Sequence, residues 1–170
     1  MEPFSTVVSA LTQQGVRFVV IGVGGVNFWT HRAAVSFTTK DRDLFLPLDP
    51  NNLLQAWRAC EAAGLTLWHG DEPLDSPRDR LLAEAIVDRR VTVAAVGGGD
   101  LQIDLTLVMA GFDFETVWNK RRIFEADGVE VPVADLEHIV RSKAAVGRPK
   151  DRLFLATHEE ALRELLGHKP

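Results

Sequence analysis

The order of patterns along this chain predicts an α/β (α+β) domain: one mixed β-sheet flanked by helices, with a helical C-terminus. Three observations carry this. Helical and extended patterns alternate through the first half of the chain. Two glycine-bearing turns, Gly97-Gly98-Gly99-Asp100 and Asp127-Gly128, each join two apolar runs, as hairpins do. Beyond Asp135 the pattern is helical almost to the end. The chain has 170 residues, enough for one domain with a substantial core, and no linker divides it.

Each element has its own warrant. Phe4, Val7, Val8 and Leu11 recur at helical spacing, so residues 3–14 form an amphipathic helix that Gly15 ends. Residues 16–21 are β-branched and aromatic, hence a buried strand. Gly22-Val23-Gly24-Gly25 makes a turn, and a short helical stretch follows from Val26 to Thr30. Residues 31–38 form a loop before a strand that bears Asp41 and Asp43. Asp49-Pro50-Asn51-Asn52 starts a helix whose inner face is Leu53, Leu54, Trp57 and Cys60, closed by Gly64. Residues 65–68 form a short strand, 70–77 a loop with two prolines, and 78–88 a helix. Strands at 91–96 and 101–108 make the first hairpin, and strands at 123–126 and 129–133 the second. A short helix at 114–120 lies between them. Asp135 caps a helix to about Val146, Gly147-Arg148-Pro149 breaks it, and a last helix covers 150–166.

Composition excludes several classes. Apolar residues are 46% and charged residues 25%, as in ordinary globular proteins, and the net charge is −5. A generic nucleic-acid coat or membrane-surface binder is usually basic, so neither is favoured. Cys60 is the one cysteine, which leaves no internal disulfide and no thiolate metal site and fits a cytoplasmic protein. The first ten residues lack the pattern of a signal peptide, and no 18-residue apolar stretch predicts a membrane span.

The chemistry centres on Asp41-Arg42-Asp43. On a strand, residues two apart share a face, so Asp41 and Asp43 project side by side and Arg42 points away, where it must snorkel or find a partner. Two adjacent carboxylates suit a divalent cation. Mg²⁺ fits best, because it takes one or two carboxylates plus substrate phosphates. Ile103-Asp104-Leu105 places a third carboxylate on a later strand, sharing a face with Gln102 and Thr106. If the two strands pair, the three acids form a cluster able to hold metal for in-line phosphoryl displacement. Gly22, Gly24 and Gly25 follow a buried strand and let backbone approach a phosphate, next to a helix N-terminus. Asn27 breaks the dinucleotide fingerprint. Arg141, Lys143, Arg148, Lys150 and Arg152 form a basic segment in an acidic chain. Lys143 and Arg148 are its candidates for a triphosphate tail, and Arg32 is a further phosphate candidate.

In this order the pieces resemble the DNA polymerase beta-like nucleotidyltransferase superfamily. The resemblance is nearest to the minimal nucleotidyltransferases and AbiEii-type proteins of bacterial toxin–antitoxin systems. It rests on Phe18-Val19-Val20-Ile21-Gly22 with Gly24-Gly25-Val26-Asn27, and on Thr38-Thr39-Lys40-Asp41-Arg42-Asp43-Leu44. It continues through Leu101-Gln102-Ile103-Asp104-Leu105, Asp113-Phe114-Glu115-Thr116-Val117-Trp118, residues 127–133 and residues 142–151. The resemblance implies a nucleotidyltransferase fold in which Asp41, Asp43 and Asp104 ligate Mg²⁺, Asp104 helps activate the acceptor, and Lys143 contacts nucleotide phosphates. It also implies an NTP substrate, an acceptor that is RNA such as tRNA, a protein or a small molecule, and a homodimer or antitoxin partner. Asp151 belongs to a Lys-Asp pair found in AbiEii-like sequences.

Two residues depart from the family pattern. Val23 stands where Ser is common, and Arg42 where an apolar residue is usual. They motivate a second reading, a non-catalytic module that binds a nucleotide or a partner. A metal-dependent glycosyltransferase, which also holds a nucleotide-sugar with Asp-x-Asp, is a third.

Overall fold

A computed structural model describes residues 2–30 and 41–167. Pro3 sits in the first turn of α1 (Pro3–Gln13), where its missing N–H costs no hydrogen bond. The periodic residues Phe4, Val7, Val8 and Leu11 are all buried. Strand β1 (Val19–Ile21) is shorter than the expected 16–21. Asn52 explains the late start. Its side chain accepts from the Arg17 N–H at 2.8 Å and donates to the Arg17 carbonyl at 3.0 Å, so an amide occupies this backbone where a strand would bond.

The glycine segment is not a turn followed by a helix. Helix α2 (Gly22–Thr30) begins at Gly22 itself. Gly22 has φ +69°, so the strand-to-helix reversal takes place in one left-handed residue. Strand β2 (Asp41–Phe45) follows. Asp49 then caps α3 (Pro50–Ala62), accepting from the N–H groups of Asn51 and Asn52. Strand β3 (Thr66–His69) pairs antiparallel with a two-residue strand β4 (Glu72–Pro73). The expected loop at 70–77 is therefore partly strand. Pro73 is tolerated because β4 is the sheet edge. Asp79 caps α4 (Arg80–Arg89) by accepting from the Leu82 N–H.

The first hairpin forms as β5 (Val93–Val96) and β6 (Gln102–Thr106). Asp113 caps the short helix α5 (Phe114–Asn119). Strands β7 (Arg122–Ala126) and β8 (Val129–Val133) form the second hairpin. Asp135 takes the N-cap position of α6 (Leu136–Val146) without a side-chain cap bond, and left-handed Gly147 ends the helix. The expected last helix is two, α7 (Pro149–Thr157) and α8 (Glu159–Gly167), parted at His158. No glycine or proline marks the break. It lets α8 turn so that Leu162 enters the core.

The strand order is β4-β3-β5-β6-β2-β1-β8-β7. β2–β6 and β1–β8 are parallel pairs, and the others are antiparallel, so the sheet is mixed. One face packs on α1, α3 and α4 through Leu44, Ile103, Leu105, Val8, Trp57 and Ile86. The other face is covered at β1 and β2, where Val19, Ile21 and Phe45 meet Val26, Phe114, Leu136, Ile139 and Leu162. On that face β6 carries the half-buried polar residues Gln102, Asp104 and Thr106, which alternate with the buried Ile103 and Leu105. The cover ends beside them, and a cleft opens there.

Candidate active site

Strands β2 and β6 run parallel with Asp43 directly opposite Asp104. Paired residues on adjacent strands share a face, with backbones about 4.8 Å apart, so the two carboxylates stand side by side. Both line a cleft of about 330 Å³ together with Ile21, Gly22, Thr106, Lys143, Arg148 and Asp151. Gln102 lies two residues before Asp104 on the same face, and its Nε2 donates to Asp104 Oδ1 at 3.1 Å. That bond orients the carboxylate. The backbone of Asp41 pairs with Gln102, while its side chain lies outside the described part of the structure.

Gly22 has a specific reason to lack a side chain. A Cβ at this position would lie 2.6 Å from Asp43 Oδ2. Its left-handed backbone also disfavours other residues. Gly22 lines the cleft, whereas Gly24 and Gly25 do not. A Cβ on Gly24 would meet the Arg42 Cδ at 3.4 Å, and one on Gly25 would meet Ile139 Cδ1 at 2.8 Å and the Val20 carbonyl at 3.2 Å. These two glycines allow α2 to lie close to its neighbours. Arg42 points to the opposite side of the sheet, where its guanidinium sits 5.0 Å from the Phe4 ring centroid. The cation between the two acids therefore finds its partner away from the cleft.

The basic wall comes from α6 and the start of α7. Asp151 is buried, with a side-chain exposure of 2%, and two cations surround it. Arg148 Nε donates to Asp151 Oδ2 at 2.6 Å, and Lys143 Nζ is 3.6 Å from Oδ1. Burial pushes the Lys143 ammonium below its usual pKa, against the pull of the Asp151 and Asp43 carboxylates. Burial alone would raise the Asp151 carboxyl. The Arg148 hydrogen bond and the Lys143 charge outweigh it and hold the group below the ordinary range. The Asp151 hydrogen bond raises Arg148 further.

The structure thus brings Asp43, Asp104, Gly22, Lys143 and Arg148 to one cleft. Arg32 lies outside the described residues. Asp151, named from sequence only as part of a Lys-Asp pair, lines the cleft as well, and so do polar residues to which the sequence reading gave no role, among them Thr92 and Ser142. An acid in the first turn of a helix is ordinary, so nothing local marks Asp151 as buried.

The side-by-side carboxylates offer oxygen donors only, which is the chemistry a Mg²⁺ ion takes alongside phosphates. Among the described residues, no group of three or more His, Cys, Asp and Glu side chains is arranged to hold a metal. Asp43 and Asp104 are two such oxygen donors, on neighbouring strands.

This sheet, with its flanking helices, is a nucleotidyltransferase fold. Two solved structures are similar to it over nearly all of the chain. The first is a Thermotoga maritima protein provisionally assigned as a nucleotidyltransferase, with TM-score 0.56 and 15% identity over 98% of this chain and 91% of that one. The second is the antibiotic-resistance factor ANT(2'')-Ia, with TM-score 0.52 and 16% identity over 96% of this chain and 86% of that one. No protein-family model matches the sequence, and no curated protein matches it significantly.

Proposed function

We propose that this protein is a Mg²⁺-dependent nucleotidyltransferase that moves an NMP from an NTP to an acceptor. The observation that carries the reading is the direct pairing of Asp43 with Asp104 at a cleft that also holds Lys143 and Arg148. A Mg²⁺ ion on Asp43 and Asp104, with Asp41 as a third ligand, would supply charge neutralisation at the phosphate oxygens. Lys143 and Arg148 bind the phosphate chain, Arg148 as a fork and Lys143 as a point charge. Gly22, free of a side chain, leaves room for phosphate beside Asp43. The acceptor oxygen attacks the α-phosphorus, the bond to the β-phosphate oxygen breaks, and pyrophosphate leaves with the electron pair. Asp104 takes the acceptor proton.

The acceptor (RNA, a partner protein or a small molecule), the antitoxin partner and the toxin–antitoxin role rest on the sequence resemblance, and the cytoplasmic setting rests on the single cysteine, Cys60. Among the described residues, no helix is long and apolar enough to cross a membrane.

The test is incubation with each labelled NTP, Mg²⁺ and acceptors including tRNA and purified partner proteins. Transfer is expected in the wild type and should fall by about 10²-fold or more in Asp43→Asn and Asp104→Asn. Nucleotide binding without any carboxylate-dependent transfer would leave the non-catalytic module as the better reading.

A further inference from the structure

Asp151 is the least expected residue of the cleft. It is almost fully buried yet charged, and it holds cations from two sources. Lys143 stands in the last turn of α6, and Arg148 occupies the N-cap position of α7 beyond the left-handed Gly147. Arg148 Nη2 adds a long 3.4 Å contact to the same Oδ1 that Lys143 approaches. The Lys143 ammonium also lies 4.9 Å from the Phe154 ring centroid, on α7. One carboxylate and one ring thus hold two flexible side chains in a single arrangement, on the wall of the cleft that Asp43 also lines.

Charge alone does not account for this acid. It removes one positive charge from a wall that is to bind a polyanion, so simple Coulomb attraction would favour its absence. What Asp151 supplies is orientation. Long cationic side chains lose rotamer freedom when they grip a ligand, and a side chain already held in place loses less.

We propose that Asp151 is a positioning residue that aims Lys143 and Arg148 at the β- and γ-phosphates, so that the cleft prefers nucleoside triphosphates to monophosphates. The proposal rests on reading the cleft as a nucleotide site.

Calorimetry on the whole chain with Mg²⁺ tests it, using ATP, GTP, CTP and UTP and the four matching monophosphates. Asp151→Asn keeps the shape and removes the charge. It is expected to weaken the best triphosphate by about tenfold or more while leaving its monophosphate within about twofold. Equal or tighter triphosphate binding by the variant would show that charge count rules, and would overturn the proposal. Equal weakening of both nucleotides would reveal a merely structural acid, and would overturn it too. If Asp151→Asn does not fold, Asp151→Glu keeps the charge but shifts the carboxylate by one methylene relative to both cations. The same selective loss is expected there, and unchanged triphosphate binding would sink the idea. If the wild type binds no triphosphate at all, the nucleotide reading itself falls, and this proposal falls with it.

Discussion

Gly22 and Asp43 form the tightest dependency at the scale of single residues. A methyl group at Gly22 would sit within 2.6 Å of Asp43 Oδ2, on a backbone at φ +69°. Left-handed backbone with a side chain costs about 1–2 kcal/mol, and the carboxylate must also swing away. Gly22→Ala is therefore expected to lower stability by about that amount. Nucleotidyl transfer should fall further, by about tenfold or more, because the displaced atom belongs to the carboxylate pair. Thermal melts and transfer assays on the same preparation check this. A variant that melts low but turns over normally would separate Gly22 from the site. Arg42 shows the opposite case. It lies between two acids in sequence, yet its guanidinium reaches the Phe4 ring on the far side of the sheet. The alternation of the strand settles where it points, and the sequence already required that.

Close approach governs the packing of α2 at the scale of elements. Gly25 faces Ile139 of α6 and the Val20 carbonyl of β1. An added methyl would overpack this junction, and Gly25→Ala is expected to destabilise by about 1–3 kcal/mol. Ile139→Val removes the Cδ1 atom that the new methyl would strike. The double variant should recover part of the loss, as denaturant midpoints would read. Full additivity would show that the strain lies elsewhere, against the Val20 carbonyl. Of the two caps expected from the sequence, Asp49 makes its bonds and Asp135 makes none. Asp49, Asp79 and Asp113 all accept N–H bonds from the first turns of their helices. The elements that differ from expectation do so for tertiary reasons. β1 starts late because Asn52 occupies the Arg17 backbone. The last helix parts at His158, where no local signal stands.

The balance of buried and paired charge sets the pH response of the whole molecule. The Asp151 carboxyl would rise on burial, but its two cations hold it below the ordinary range. Asp113 is lowered by the Thr116 N–H, and Asp127 by the Glu2 N–H. A carboxylate whose folded pKa is depressed contributes stability above its unfolded value, near about 3.9, and loses it as pH falls through the folded one. Denaturant midpoints should thus hold between about pH 7 and 5 and decline below about pH 4. Asp151→Asn should make that decline shallower. An unchanged acid limb in the variant would mean that Asp151 pays no part in it. Lys143 acts in the other sense. Burial lowers its folded pKa, so its cost disappears as pH rises through that value toward the ordinary lysine range.

The sequence by itself determined the mixed α/β class, most of the helices and strands in their order, the Asp49 cap and the two acidic strands. Those features depend on spacings of two to four residues, which are written locally. It also marked Lys143 and Arg148 as a basic segment. Only the tertiary structure decided that Asp43 stands opposite Asp104, about sixty residues away in the chain. The register between distant strands depends on which faces become buried, and no local pattern states it. The clearance at Gly22 and the burial of Asp151 were decided in the same way. Each depends on what another part of the chain brings within 4 Å, which becomes definite only when the core closes around it.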